Sequence, residues 1–177
     1  MSEVFVFKFF GGMIVIIAST CIGIKASEKL NVQLELLQKM KQLVILISGE
    51  IKYNNSYLGQ AFLNVSNRIC EPYKGLLRDV ADKLDEETGE TFEKIWKEGV
   101  NEKLSGTELS GKHIMKLQEL GDSLGFLDKD MQISNFELFI ERLDYEIYES
   151  AEKNKANCKL YKSLGVLFGI AIVILLI

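Results

Sequence analysis

Two apolar segments lie near the ends of this 177-residue chain and enclose almost all of its charge. Residues 4–24 carry only Lys8, and residues 163–177 carry no charge at all. Residues 25–162 hold every basic residue except Lys8 and every acidic one except Glu3. This layout restricts the fold more than any motif does, because it describes a charged domain held to a bilayer at both ends.

At 1.5 Å of rise per helical residue, residues 4–24 span about 31 Å, close to the ~30 Å hydrocarbon core. Lys8 is near the outer end, where its stem can carry the ammonium to the headgroups. The second segment is shorter, about 22 Å for residues 163–177. Adding Leu160 and Tyr161, with Lys159 and Lys162 reaching to the interface, extends it to about 27 Å, which a bilayer accommodates with some thinning. Two crossings put both termini on one side of the membrane. The lysines flanking the middle (Lys25 and Lys29; Lys153, Lys155, Lys159 and Lys162) place that middle in the cytoplasm by the positive-inside bias. A cleaved signal peptide fits less well: the leading residues include Glu3 and a single Lys, and no clean small-x-small site follows the apolar run. Ala18-Ser19-Thr20-Cys21 only faintly resembles a lipoprotein cleavage site. Ser19 with Gly23, and Gly165 with Gly169, form small-xxx-small pairs that allow helix backbones to approach closely in lipid. Chance accounts for such pairs about as well as a packing face does.

The middle is long enough for one domain with its own core. Its net charge of −4 leaves no electrostatic footprint for nucleic acid. Cys21, Cys70 and Cys158 are odd in number and scattered, as expected of free thiols in a reducing compartment. A single proline suits an almost wholly helical chain.

Leu37, Met40, Val44, Ile47 and Ile51 recur at spacings of three and four and predict an amphipathic helix, which can run on from the first membrane segment. Asn54-Asn55-Ser56 ends it, and Ser56 is placed to cap a short helix whose apolar face is Leu58, Phe62, Val65 and Ile69. Pro72 opens a third helix, running to about Leu84. A charged turn then leads to a fourth, with Phe92, Ile95, Trp96 and Val100 on one face. Ser110 caps a fifth, carrying Ile114, Leu117, Leu120 and Leu124, which Gly125 closes. Asp128 opens a long last helix with the stripe Ile133, Phe136, Ile140, Leu143 and Ile147. Residues 149–159 are polar nearly all round, as in a juxtamembrane stalk or a surface awaiting a partner. The expected fold is all-α: a cytoplasmic bundle of about six helices over residues 25–162, with transmembrane helices at 4–24 and 163–177.

Chemistry is hard to find. No phosphate-binding loop occurs, and the spacings of a zinc site are absent. His113 is the only histidine and is expected at a helix surface or cap. Residues 79–108 hold ten carboxylates against four lysines, a pattern that favours a solvated surface over an acid–base pair. Docking of a basic partner is the minor alternative. Trp96 is expected in the core, and Tyr53 with Tyr57 is expected to pack a helix–helix corner. No catalytic, cofactor-binding or metal residue is assigned; no small-molecule substrate is expected.

Several patterns, in order, resemble the stage III sporulation protein AB family of spore-forming Firmicutes across nearly the whole chain. They are Glu50-Ile51-Lys52-Tyr53 with Leu58 and Ala61; Trp96; Gly121, Leu124, Gly125, Asp128 and Gln132 in the spacing Gly-x-x-Leu-Gly-x-x-Asp-x-x-x-Gln; and Lys162-Ser163-Leu164-Gly165 opening the apolar tail. Asp122 departs from the Glu usual in that pattern. The family's bundle is similar to the F protein, the inner-membrane platform of type II secretion and type IV pili. The resemblance implies a non-enzymatic platform in a channel between mother cell and forespore, in the mother-cell membrane facing the forespore. It also implies coupling of a cytoplasmic ATPase, the AA protein of the same operon, to other membrane components. Self-association through the membrane helices accompanies this reading. The joints at Glu50 and Tyr53 and from Gly121 to Gln132 are partner-binding candidates, though the same residues serve equally well for capping and packing. The alternative function is a membrane-tethered signalling or adaptor protein, and a carboxylate-using membrane enzyme is a weaker third.

Overall fold

The computed structural model describes residues 2–54, 57–86, 89–124 and 128–176, and among them it contains six helices and no strand. These are α1 (Ser2–Asn54), α2 (Leu58–Ser66), α3 (Tyr73–Asp85), α4 (Phe92–Leu104), α5 (Gly111–Leu124) and α6 (Lys129–Leu176). The apolar end segments are not separate elements; they belong to α1 and α6. Two compact units result, a terminal one of Met1–Leu34 with Glu149–Ile177 and a central one of Glu35–Tyr148.

In the central unit the predicted stripe of α1 is the spine of the core: Leu37, Met40, Val44, Ile47 and Ile51 are all buried. Ala61, Phe62 and Val65 from α2 and Leu76, Leu77, Val80 and Ala81 from α3 join the same cluster. Ile95, Trp96, Val100 and Leu104 of α4 and Leu117, Leu120 and Leu124 of α5 complete it. From α6, Phe136 and Leu143 are buried, whereas Ile133, Ile140 and Ile147 are only partly so. Phe62, Phe92 and Trp96 form a three-ring cluster with centroids 5.6–6.0 Å apart, joining α2 to α4. Each such pair adds about 0.5–1.5 kcal/mol beyond the area it buries. The Tyr73 hydroxyl, fully buried, donates to the Leu36 carbonyl at 2.9 Å and ties α3 to α1.

Local chemistry fixes the helix ends. Thr91 accepts from the Lys94 amide at the start of α4, and Asp128 accepts from the Met131 amide at 2.9 Å at the start of α6. Gly89 takes φ +73°, a left-handed turn that suits glycine. Pro72 stands at the N-cap of α3. Helix α2 ends at Ser66, so Ile69 is buried from the following turn and not from the helix. Ser56 and Gly125 lie outside the described residues.

In the terminal unit the small residues do meet. A Cβ on Gly23 would fall 2.5 Å from the Tyr161 carbonyl oxygen, and one on Gly165 would fall 2.9 Å from that of Ser19. One on Gly169 would lie 2.9 Å from the Ile16 Cα. Ser19 donates its hydroxyl to the Gly165 carbonyl. The polar stretch after Tyr148 is also used, since Asn154 donates to the Leu30 carbonyl at 2.8 Å and Cys158 lies 3.6 Å from that of Ser27. Large apolar side chains point away from this seam: Ile14, Ile17, Ile22, Leu167, Phe168 and Ile174 are exposed. Among the described residues one helix, α6, is long and apolar enough to cross a membrane.

Candidate functional site

The first joint of interest is built around Glu50 on α1, a carboxylate only 7 % exposed. One of its oxygens accepts from Asn54 at 2.7 Å and from Asn64 at 3.1 Å; the other meets Arg68 at 3.2 Å. The hydrogen bond from Asn54, then that from Asn64, with Arg68 adding its charge, hold the carboxyl below the usual carboxylate range although burial opposes them. Glu50 therefore serves as a clamp between the end of α1 and α2. Tyr53, three residues on, does not share this role. Both Tyr53 and Tyr57 are largely exposed, which overturns the expected corner packing. The physical reason is rotation along the helix: Glu50 and Ile51 take the inward positions at the end of α1, and Tyr53 falls on the outer side.

The second joint links α4, α5 and α6. The Trp96 indole nitrogen donates to the Leu117 carbonyl at 2.7 Å and its ring lies against Gly121, inside α5. Gly121 thus belongs to helix packing and not to the turn that follows. Leu124 is buried, and its carbonyl accepts from the Gln132 side chain at 2.7 Å. With Asp128 capping α6, the described residues of the Gly-x-x-Leu-Gly-x-x-Asp-x-x-x-Gln pattern close the α5–α6 corner. Gly125 is outside the described residues. The joints bring Glu50 to its polar partners and Trp96 to Gly121, and these groups already have a structural use, whereas Tyr53 stays exposed.

A third cluster carries no sequence signal, because Glu146 is on α6, 30 residues beyond Lys116, while its partners gather at the start of α5. The Ser110 hydroxyl is 2.7 Å from Nδ1 of His113, whose Nε2 is 3.2 Å from Glu146 on α6. Lys112, at 3.2 Å, and Lys116 meet the other oxygen of Glu146. Burial pushes the His113 imidazole below its ordinary value, opposed by Glu146. Burial would raise Glu146, but hydrogen bonds from Lys116 and Lys112 outweigh it and hold the carboxyl low. His113 is thus half-buried and pinned between a cap residue and α6, a tie that the cap-or-surface expectation catches only in part.

Several carboxylates on α3, α4 and α5 meet lysines. Lys103 meets Asp79 at 2.6 Å, and Lys97 meets Asp122 at 2.9 Å and Glu93 at 2.7 Å. Lys97–Glu93 lies within α4, whereas the other two pairs bridge neighbouring helices; all are solvated and contribute little each. Among the described residues no three His, Cys, Asp or Glu side chains converge as metal ligands.

Comparison with known proteins gives a consistent result. The family model described as stage III sporulation protein AB matches residues 8–177. Stage III sporulation protein AB of Bacillus subtilis (strain 168) is 21 % identical over 169 residues, covering 96 % of this chain and 98 % of that protein. A solved structure of a stage III sporulation protein AB superposes with a TM-score of 0.63 at 16 % identity, over 70 % of this chain and 97 % of the other, and so shares the fold.

Proposed function

The chain belongs to the stage III sporulation protein AB family, and from that premise we propose that it is a non-enzymatic membrane platform of a sporulation channel. In this reading α1 and α6 each cross the mother-cell membrane facing the forespore, the central bundle is cytoplasmic, and it couples the AA ATPase to the membrane components of the channel.

The observation that carries the proposal is the inverted polarity of the terminal unit. Small residues form its inner seam, at Ser19, Gly23, Gly165 and Gly169, while isoleucine, leucine and phenylalanine face outward. In water that arrangement is unfavourable, whereas in lipid close backbone contact drives helix association and the apolar exterior costs nothing. A chain anchored in this way, whose remaining mass is one helical bundle, is suited to holding a soluble partner at the membrane. The buried polar groups at Glu50 and Trp96 stiffen the bundle's joints and so support a platform.

The test is a pull-down in detergent. Tagged full-length protein is co-expressed with the AA ATPase, and ATP hydrolysis is measured with and without it. Saturable association is the expected result. Failure of the folded full-length protein to associate would remove the ATPase coupling and bring the tethered-adaptor reading forward.

A further inference from the structure

Helices α5 and α6 flank a shallow groove of about 210 Å³ on the surface of the central unit. Leu120, Leu138, Phe139 and Leu143 are its apolar lining, and Glu119 and Arg142 stand on its rim. Leu138 is half exposed there. Both rim charges are exposed, and among the described residues neither side chain has an ion-pair or hydrogen-bond partner. Asp79 on α3 and Glu93 on α4, by contrast, each meet a lysine.

The register of the two helices decides what such a groove accepts. They run antiparallel: Gln132 near the start of α6 reaches the end of α5, and Glu146 further along meets Lys116 and Lys112 towards the other end. Counting from the Lys116–Glu146 pair at 1.5 Å per residue, Glu119 and Arg142 stand within about 1.5 Å of the same height. Met115 and Tyr145, both exposed, stand within about 3 Å of one another in height by the same count. Leu138, Arg142 and Tyr145 are spaced four and three apart and share a helix face, as do Met115 and Glu119. A two-fold axis along the groove would lay α5 of one molecule over α6 of the other without changing heights. Each Glu119 would then face the other molecule's Arg142, each Met115 the other's Tyr145, and the two apolar floors would cover one another. Residue i meets j and j meets i, the requirement of an isologous interface.

We propose that the α5–α6 groove is a self-association surface occupied by the same groove of a second copy of this chain, with Glu119 and Arg142 as reciprocal ion pairs. The proposal stands apart from the ATPase reading. It also moves self-association away from the glycine seam, which Ser19, Gly23, Gly165 and Gly169 fill within one chain.

Sedimentation velocity of the full-length protein in detergent, over a wide concentration range, tests it. The wild type is expected to form a concentration-dependent dimer. Glu119→Arg and Arg142→Glu are each expected to weaken it by about tenfold or more, since a two-fold interface meets each reversal twice. The double variant is expected to recover most of the wild-type affinity, and Leu138→Ala to weaken it without changing the melting of the monomer. A wild type that stays monomeric throughout overturns the proposal. So does a dimer indifferent to both reversals, or a double variant no tighter than the singles when circular dichroism shows all of them folded.

Discussion

The indole of Trp96 lies so close to Gly121 that a Cβ at that position would fall 2.1 Å from the ring's Cδ1. The same ring is held by its hydrogen bond to Leu117, one turn earlier on α5, and is fully buried. It therefore has no room to retreat, and α4 packs on α5 through the missing side chain. Gly121→Ala is expected to destabilise the protein by about 1–3 kcal/mol, the range of overpacked cores. Chemical denaturation of the variant measures this; a loss below about 0.5 kcal/mol would show that the ring can move.

Gly49 gives the opposite sign. It lies within α1, and a methyl group added there would meet open space, with no neighbouring atom inside 4 Å. Gly49→Ala should stabilise the protein by about 0.5–1 kcal/mol by restricting the unfolded chain and favouring the helix. A higher denaturation midpoint at unchanged slope is the expected result.

Glu50 sets a pH dependence. Its carboxyl is held below its ordinary value in the folded chain, so its contribution to stability is complete above pH 4.5 and is lost as pH falls through the folded value. As pH falls below about 4.5 the wild type should lose stability more steeply than Glu50→Gln, which has no proton to take up. Glu50→Ala should cost about 1–3 kcal/mol at neutral pH, because Asn54 and Asn64 lose their acceptor. Denaturation series at each pH would compare the three proteins; parallel curves for the wild type and Glu50→Gln would refute the clamp.

Phe136 is the fully buried anchor of α6 in the central core. Phe136→Ala is expected to cost about 3–5 kcal/mol, from lost burial together with the cavity left behind. Thermal or urea unfolding reads it directly.

At the glycine seam, Gly23→Leu should force the two helices apart, since even a single carbon there meets the Tyr161 carbonyl at 2.5 Å. The expected outcome is a lower melting temperature of the full-length protein in detergent. Substitution at Gly11, where nothing lies within 4 Å, should leave it nearly unchanged.

Much of this architecture was legible in the chain, and the parts that were not share a cause. The stripe from Leu37 to Ile51 could be read because helical periodicity puts every third or fourth residue on one face, and all five of its members are buried. Phe136 and Leu143 follow the same rule. Trp96 could be placed in the core, but its fit to Gly121 could not be foreseen, because nothing local distinguishes a glycine that ends a helix from one that admits a ring. The exposure of Tyr53 depends on which residues at the end of α1 turn inward, and aromatic character alone does not decide that. The Ser110, His113 and Glu146 cluster depends on the register of α5 against α6, which no local pattern encodes. The small-residue pairs were visible in number and spacing, and only the structure paired them with one another.

The seam between Ser19 and Gly165 joins residues 146 positions apart. During synthesis at about 5–20 residues per second, the early helix is made roughly 7–30 s before its partner exists. For that interval Gly23 and Ser19 offer a bare groove to whatever helix is nearby. The order in which the chain is made thus leaves a period of vulnerability to foreign pairing, and the intramolecular seam ends it once Gly165 and Gly169 arrive.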